Sequence, residues 1–128
     1  MKVRGVEEEM FEQLAWEVLD SLPEPFRNRL ENVYIVVENV PEESVRRRVG
    51  GKKGTVLLGL YEGVPVSKRG IWYGSSPVTP DRITLFKKNI EESVRPGEAI
   101  SEKIREVLIH EIGHHFGMNE DEIRRAGY

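Results

Sequence analysis

Apolar residues recur every three or four positions at the amino end of the chain, at Val6, Met10, Phe11, Leu14, Val18 and Leu19, with Glu7, Glu8, Glu12 and Glu17 mostly on other faces. This is the period of an amphipathic helix packed on one side, and it closes near Pro23. Pro25 predicts a second short helical turn through Leu30, since its fixed φ suits a first helical position. The pattern then changes. Val33-Tyr34-Ile35-Val36-Val37 is β-branched and aromatic and predicts a buried strand, as does Thr55 to Tyr61. Between them, Pro41 to Gly54 mixes charge, proline and glycine and reads as a loop with one helical turn. Glu62-Gly63 opens a long irregular stretch through Pro80, with Ile71, Trp72 and Tyr73 as a short edge strand inside it; so long a loop in a small protein is often functional. Arg82 to Lys88 alternates as a further strand, and a long helix is expected from about Gly97 to Phe116.

A helix, then strands, then a helix, with no repeat or linker, predicts an α/β (α+β) fold. Its core would be a small twisted sheet of roughly three to five strands, packed by an N-terminal and a C-terminal helix. At 128 residues, positions 1–128 suit one domain with one hydrophobic core. The absence of cysteine excludes disulfides, thiolate ligands and cysteine nucleophiles, so any metal must be held by nitrogen and oxygen. The amino-terminal residues lack the apolar stretch of a secretory signal, and no run approaches membrane-spanning length, so a cytoplasmic protein without a membrane partner is expected.

The chemistry concentrates near the carboxyl end, in His110-Glu111-Ile112-Gly113-His114-His115-Phe116-Gly117, which holds all three histidines of the chain. On a helical wheel Ile100, Ile104, Val107, Leu108, Ile112 and Phe116 form an apolar arc. His110 and His114 fall together on its flank, with Glu111 between them and the arc. Two imidazoles four residues apart on one helical face, beside a carboxylate that reaches a water between them, form the HExxH zinc-hydrolase pattern. His115 points near the centre of the apolar arc and is expected to be a core imidazole. A catalytic zinc needs a third ligand. Gly117 can take the left-handed conformation that ends a helix and turns the chain back, returning Glu120 toward the two histidines, with Asp121 as the substitute. Asn119 also reads as the cap of a short helix through Arg125.

The stretch His110 to Glu120 resembles the metzincin-like pattern HExxHxxGxxH/D, and the chain looks like the small zincin-like metallopeptidases of prokaryotes, the minimal zincins. The likeness extends through Leu57-Leu58-Gly59-Leu60-Tyr61-Glu62-Gly63-Val64-Pro65 and Pro80-Asp81-Arg82-Ile83-Thr84-Leu85-Phe86. It implies a small mixed sheet between a helix and an active-site helix, and a zinc-dependent peptidase with Zn2+ on His110, His114 and Glu120, where that family commonly has aspartate, and with Glu111 as general base. Peptide or protein would be the substrate, paired with a sheet edge at Ile71 to Tyr73 or at Arg82 to Lys88. Tyr73 and Tyr128 are candidate oxyanion donors.

Two other functions compete. A metal-binding or peptide-binding module with little catalysis suits so small a chain, which has no second lobe to wall a deep cleft. A metal-dependent ribonuclease is prompted by Arg46, Arg47, Arg48, Lys52 and Lys53. Glu111, the net charge of -3 and the lack of interleaved aromatic residues argue against nucleic acid as a partner.

Overall fold

The computed structural model describes residues 7–24, 26–27, 30, 32–49, 56–63 and 81–125. These hold five helices and three strands: α1 (Glu8–Asp20), β1 (Val33–Glu38), α2 (Glu43–Val49), β2 (Gly59–Glu62), β3 (Asp81–Phe86), α3 (Lys87–Ser93), α4 (Ile100–His115) and α5 (Glu120–Arg125). The expected mixed sheet flanked by an early and a late helix is present. Its strand order is β1-β3-β2, with β1 parallel and β2 antiparallel to β3.

Strand alternation sorts the side chains into two faces. The cross-strand rows Ile35, Ile83 and Tyr61, and Val37, Leu85 and Gly59, lie on one face. Ile83 and Leu85 are fully buried there, in one cluster with Phe11, Ala15, Val18 and Leu19 of α1 and Ile104, Val107, Leu108 and Ile112 of α4. Gly59 permits the closest approach between sheet and helix, since a Cβ on it would stand 2.8 Å from Val107 Cγ1. The opposite face carries Tyr34, Arg82 and Glu62 in one row. Glu62 accepts from Arg82 Nε at 3.2 Å and lies 3.4 Å from Arg48 of α2, and these cations, Arg82 foremost, hold its carboxyl below the usual range.

Several boundaries differ from expectation. The loop predicted over Pro41 to Gly54 contains a helix of two turns. The strand expected from Thr55 begins at Gly59 among the described residues, and the one expected to reach Lys88 ends at Phe86. Helix α3 follows β3 without a linker; its only buried side chain is Ile90, too few apolar positions to give a helical period. Helix α4 starts at Ile100 because Gly97, at φ 86, belongs to the preceding turn. Because β3 is paired on both sides, it offers no free edge, and the expectation that Arg82 to Lys88 takes a peptide strand is corrected. Ile71 to Tyr73 lie outside the described residues.

Candidate metal centre

Helix α4 lies against α1, β2, α3 and α5. Its buried surface is accordingly wider than the predicted arc and includes Ile109 and Gly113. His110 and His114 remain on the uncovered flank, with ring centroids 5.7 Å apart.

The helix ends in a Schellman turn: Met118 N–H donates to Gly113 O at 2.8 Å and Gly117 N–H to His114 O at 3.1 Å, with Gly117 at φ 81. Asn119 then starts α5 in a reciprocal capping box. Its Oδ1 accepts from Glu122 N–H at 2.8 Å, and Glu122 Oε1 accepts from Asn119 N–H at 2.9 Å. The short helix is pinned by Ile123, which is fully buried and seated in the notch that Gly113 leaves on α4.

This turn brings Glu120 to the histidines. Its Oε2 lies 2.9 Å from His114 Nε2, and its Oε1 lies 3.9 Å from His110 Nδ1. One donor atom from each of the three residues falls within a 4.8 Å set. The His114 contact, helped by the charges of His110, His114 and Arg124, outweighs the opposing desolvation and holds the Glu120 carboxyl below its ordinary range. Asp121, the alternative, stays outside the set and pairs with Arg124 at 3.4 Å.

Glu111 occupies a different environment. Burial pushes its carboxyl up, while His114 and a hydrogen bond from the Tyr61 backbone N–H oppose the shift. In the antiparallel register, Leu58 and Leu60 face β3 for pairing, so Tyr61 directs its amide away from that strand. The amide of an edge strand thus holds the carboxylate beside the donor set. The Tyr61 hydroxyl donates to Asp81 Oδ2 at 2.8 Å, fixing the side chain across the sheet.

His115 is not a core residue. It is exposed, with its ring stacked at 3.9 Å and 19° on Tyr61 and edge-on to Phe116. The wheel gives it the right direction but the wrong depth: the final turn of α4 passes the end of β2, where a tyrosine ring replaces the packed sheet. Gly63 makes room for it, since a Cβ there would stand 2.9 Å from His115 Cε1. Tyr73 and Tyr128 lie outside the described residues. Arginines 47 and 48 of the basic stretch are paired with Glu43 and Glu62, and Lys52 and Lys53 lie outside the described residues.

A family model for zincin-like metallopeptidases matches residues 30–128. The chain belongs to that family. Among solved structures, a conserved hypothetical protein from Thermus thermophilus matches this zincin-like chain with a TM-score of 0.53 and 23% identity. The match covers 86% of this chain and 94% of that one, and at that identity it speaks for the fold alone. A search of curated proteins gives no match.

The zincin-like donor set suits a small divalent ion. With bonds of about 2.0–2.2 Å, two donors of a tetrahedral zinc lie roughly 3.3–3.6 Å apart. The observed 2.9 and 3.9 Å bracket that spacing. Two imidazoles and a carboxylate, with no thiolate in the chain, also match the ligand types of catalytic zinc. Sequence reasoning missed the Tyr61 amide, whose contact with Glu111 spans fifty positions. The only local signal for it was that Tyr61 sits in a strand beside the glycine that brings β2 to α4.

Proposed function

We propose that the protein is a zinc-dependent peptidase that hydrolyses peptide bonds of a peptide or protein, with zinc held by His110, His114 and Glu120. The observation that carries this reading is the convergence of those three donors beside a partly buried Glu111 held by the Tyr61 amide. Bound there, zinc supplies Lewis acidity, which activates water and polarises a peptide carbonyl. Burial raises the proton affinity of Glu111. Its carboxylate therefore takes the proton of the attacking water more readily than a solvated one, and returns it to the leaving amine. Tyr61 keeps that carboxylate oriented through both transfers. None of the helices described is long and apolar enough to cross a membrane, and the reading includes the cytoplasmic location expected from the amino-terminal sequence.

One observation favours a binding module with little catalysis: the His114 and Glu120 side chains are 51% and 56% exposed, an open setting for chemistry that gains from excluding water. The experiment that separates the two loads the protein with zinc and measures cleavage of a mixed peptide library. Peptidase activity that vanishes in Glu111→Gln while zinc stays bound, and zinc binding that vanishes in His114→Ala, support the first reading. Stoichiometric zinc without cleavage of any library peptide supports the second.

A further inference from the structure

Beyond Glu120, α5 carries two guanidinium groups that lie outside the donor set. On the wheel of α5, Glu120 faces the histidines and Ile123 points into the core about 60° to one side. Arg124 lies about 40° to the other side, with Asp121 and Arg125 further round at about 100° and 140°. Arg124 is one helical turn from Glu120, which puts their Cβ atoms about 6 Å apart. Asp121, Arg124 and Arg125 line an open groove of about 400 Å³.

The lining is charged, with two cations against one anion. Glu122, the next acid, is engaged in the capping box with Asn119. Arg124 meets Asp121 at 3.4 Å with side chains 71% and 79% exposed. An ion pair in that setting is worth little, so giving it up costs little. Among the described residues, the one hydrogen bond of the Arg125 side chain runs from its Nε to the Asp121 backbone oxygen, at 3.5 Å. Two adjacent forks of this kind suit a carboxylate, which guanidinium binds through paired charge-assisted hydrogen bonds.

We propose that this groove binds a carboxylate of the peptide substrate, from its chain terminus or from an acidic side chain, through Arg124 and Arg125. An extended peptide advances about 3.3–3.6 Å per residue. The separation of one helical turn, plus the length of an arginine side chain, therefore places the acidic group within about four residues of the bond that is cut. This rests on the peptidase reading above, and its test is kept separate from it.

Zinc-loaded protein with Glu111→Gln is titrated with one fluorescent peptide in three forms: the free carboxyl terminus, the neutral amide, and the amide with glutamate near its end. At low salt, one or both acidic forms are expected to bind about ten-fold more tightly than the neutral amide. The double variant Arg124→Gln/Arg125→Gln should reduce that preference to about two-fold or less with zinc content unchanged. Preference for the free terminus alone identifies the terminal carboxylate, and preference for the glutamate form identifies the side chain. Equal binding of all forms, binding of none, or a preference that survives the double variant overturns the proposal. Cleavage is then measured with Glu111 intact. Hydrolysis without acidic preference sinks the carboxylate site and leaves the peptidase, whereas preference without hydrolysis does the reverse.

Discussion

Replacing Gly113 with alanine tests whether the seat of α5 sets the third ligand. The new Cβ would stand 2.9 Å from Ile123 Cδ1 and 3.0 Å from its Cγ1, where carbon atoms normally keep about 3.5–4.0 Å. Rotation about the end of Ile123 relieves the first contact and not the second, and the side chain is fully buried, with no open space to turn into. Helix α5 must then retreat by roughly 0.5–1 Å. Overpacking of this kind costs about 1–3 kcal/mol, and alanine recovers about 1 kcal/mol over glycine inside a helix. The net loss of stability is therefore small, about 0–2 kcal/mol. Metal affinity is affected more: Glu120 shares the short helix with Ile123 and moves with it, while His110 and His114 stay on α4. Zinc sites tolerate errors of about 0.2 Å in ligand distance, so affinity should fall about 10- to 100-fold. A competition titration against a chromophoric zinc chelator, run beside thermal melts of the metal-free protein, measures both quantities. Adding Ile123→Val removes Cδ1 and should restore part of the affinity. A Gly113→Ala protein whose zinc affinity stays within about two-fold of the parent would refute the reasoning.

Burial raises the Glu111 carboxyl pKa, so in the metal-free protein this group costs the fold nothing below its unfolded value of about 4.3; the cost grows as pH rises from there toward the folded value and is complete above it. Metal-free Glu111→Gln should therefore melt with the parent near about pH 3.5 and above it near about pH 7; coincident melts at both would contradict the assigned burial. At the contact of β2 with α4, Gly59→Ala would set a Cβ 2.8 Å from Val107 Cγ1 and 3.3 Å from the Thr84 backbone oxygen. It should cost about 1–3 kcal/mol in urea denaturation and lose much of that penalty in a Val107→Ala background.

The candidate metal centre was legible because its parts are local. His110, Glu111 and His114 lie on one helix, Gly117 supplies the left-handed turn, and Asn119 to Glu122 carry their own cap, so the local pattern turned Glu120 toward the histidines while leaving Asp121 as the substitute. Strand and helix periods likewise located β1, α1 and α4. What escaped was set by contacts between distant segments or by depth. Helix α3 has one buried anchor, Ile90, and offers no period to read. His115 has a core direction but sits beyond the end of the sheet, which a wheel cannot register. The seat of Ile123 against Gly113 also needs depth information, since a glycine inside a helix looks in sequence like a weakness rather than a notch.

This division between local and distant contacts has a consequence for the chemistry. The three donors span eleven positions and are joined by one Schellman turn and one capping box, so little chain entropy opposes their meeting once α4 and α5 have formed. Glu111 is held by an amide fifty positions away, and that contact exists only while β2 is docked against α4 with Gly59 in place. Loosening the sheet would free the proposed base and restore its ordinary proton affinity while leaving His110, His114 and Glu120 able to gather a metal. On the proposed reading, zinc occupancy and hydrolysis are thus separable in this fold. A change such as Gly59→Ala is expected to reduce turnover more than zinc binding, whereas Gly113→Ala acts on the metal first.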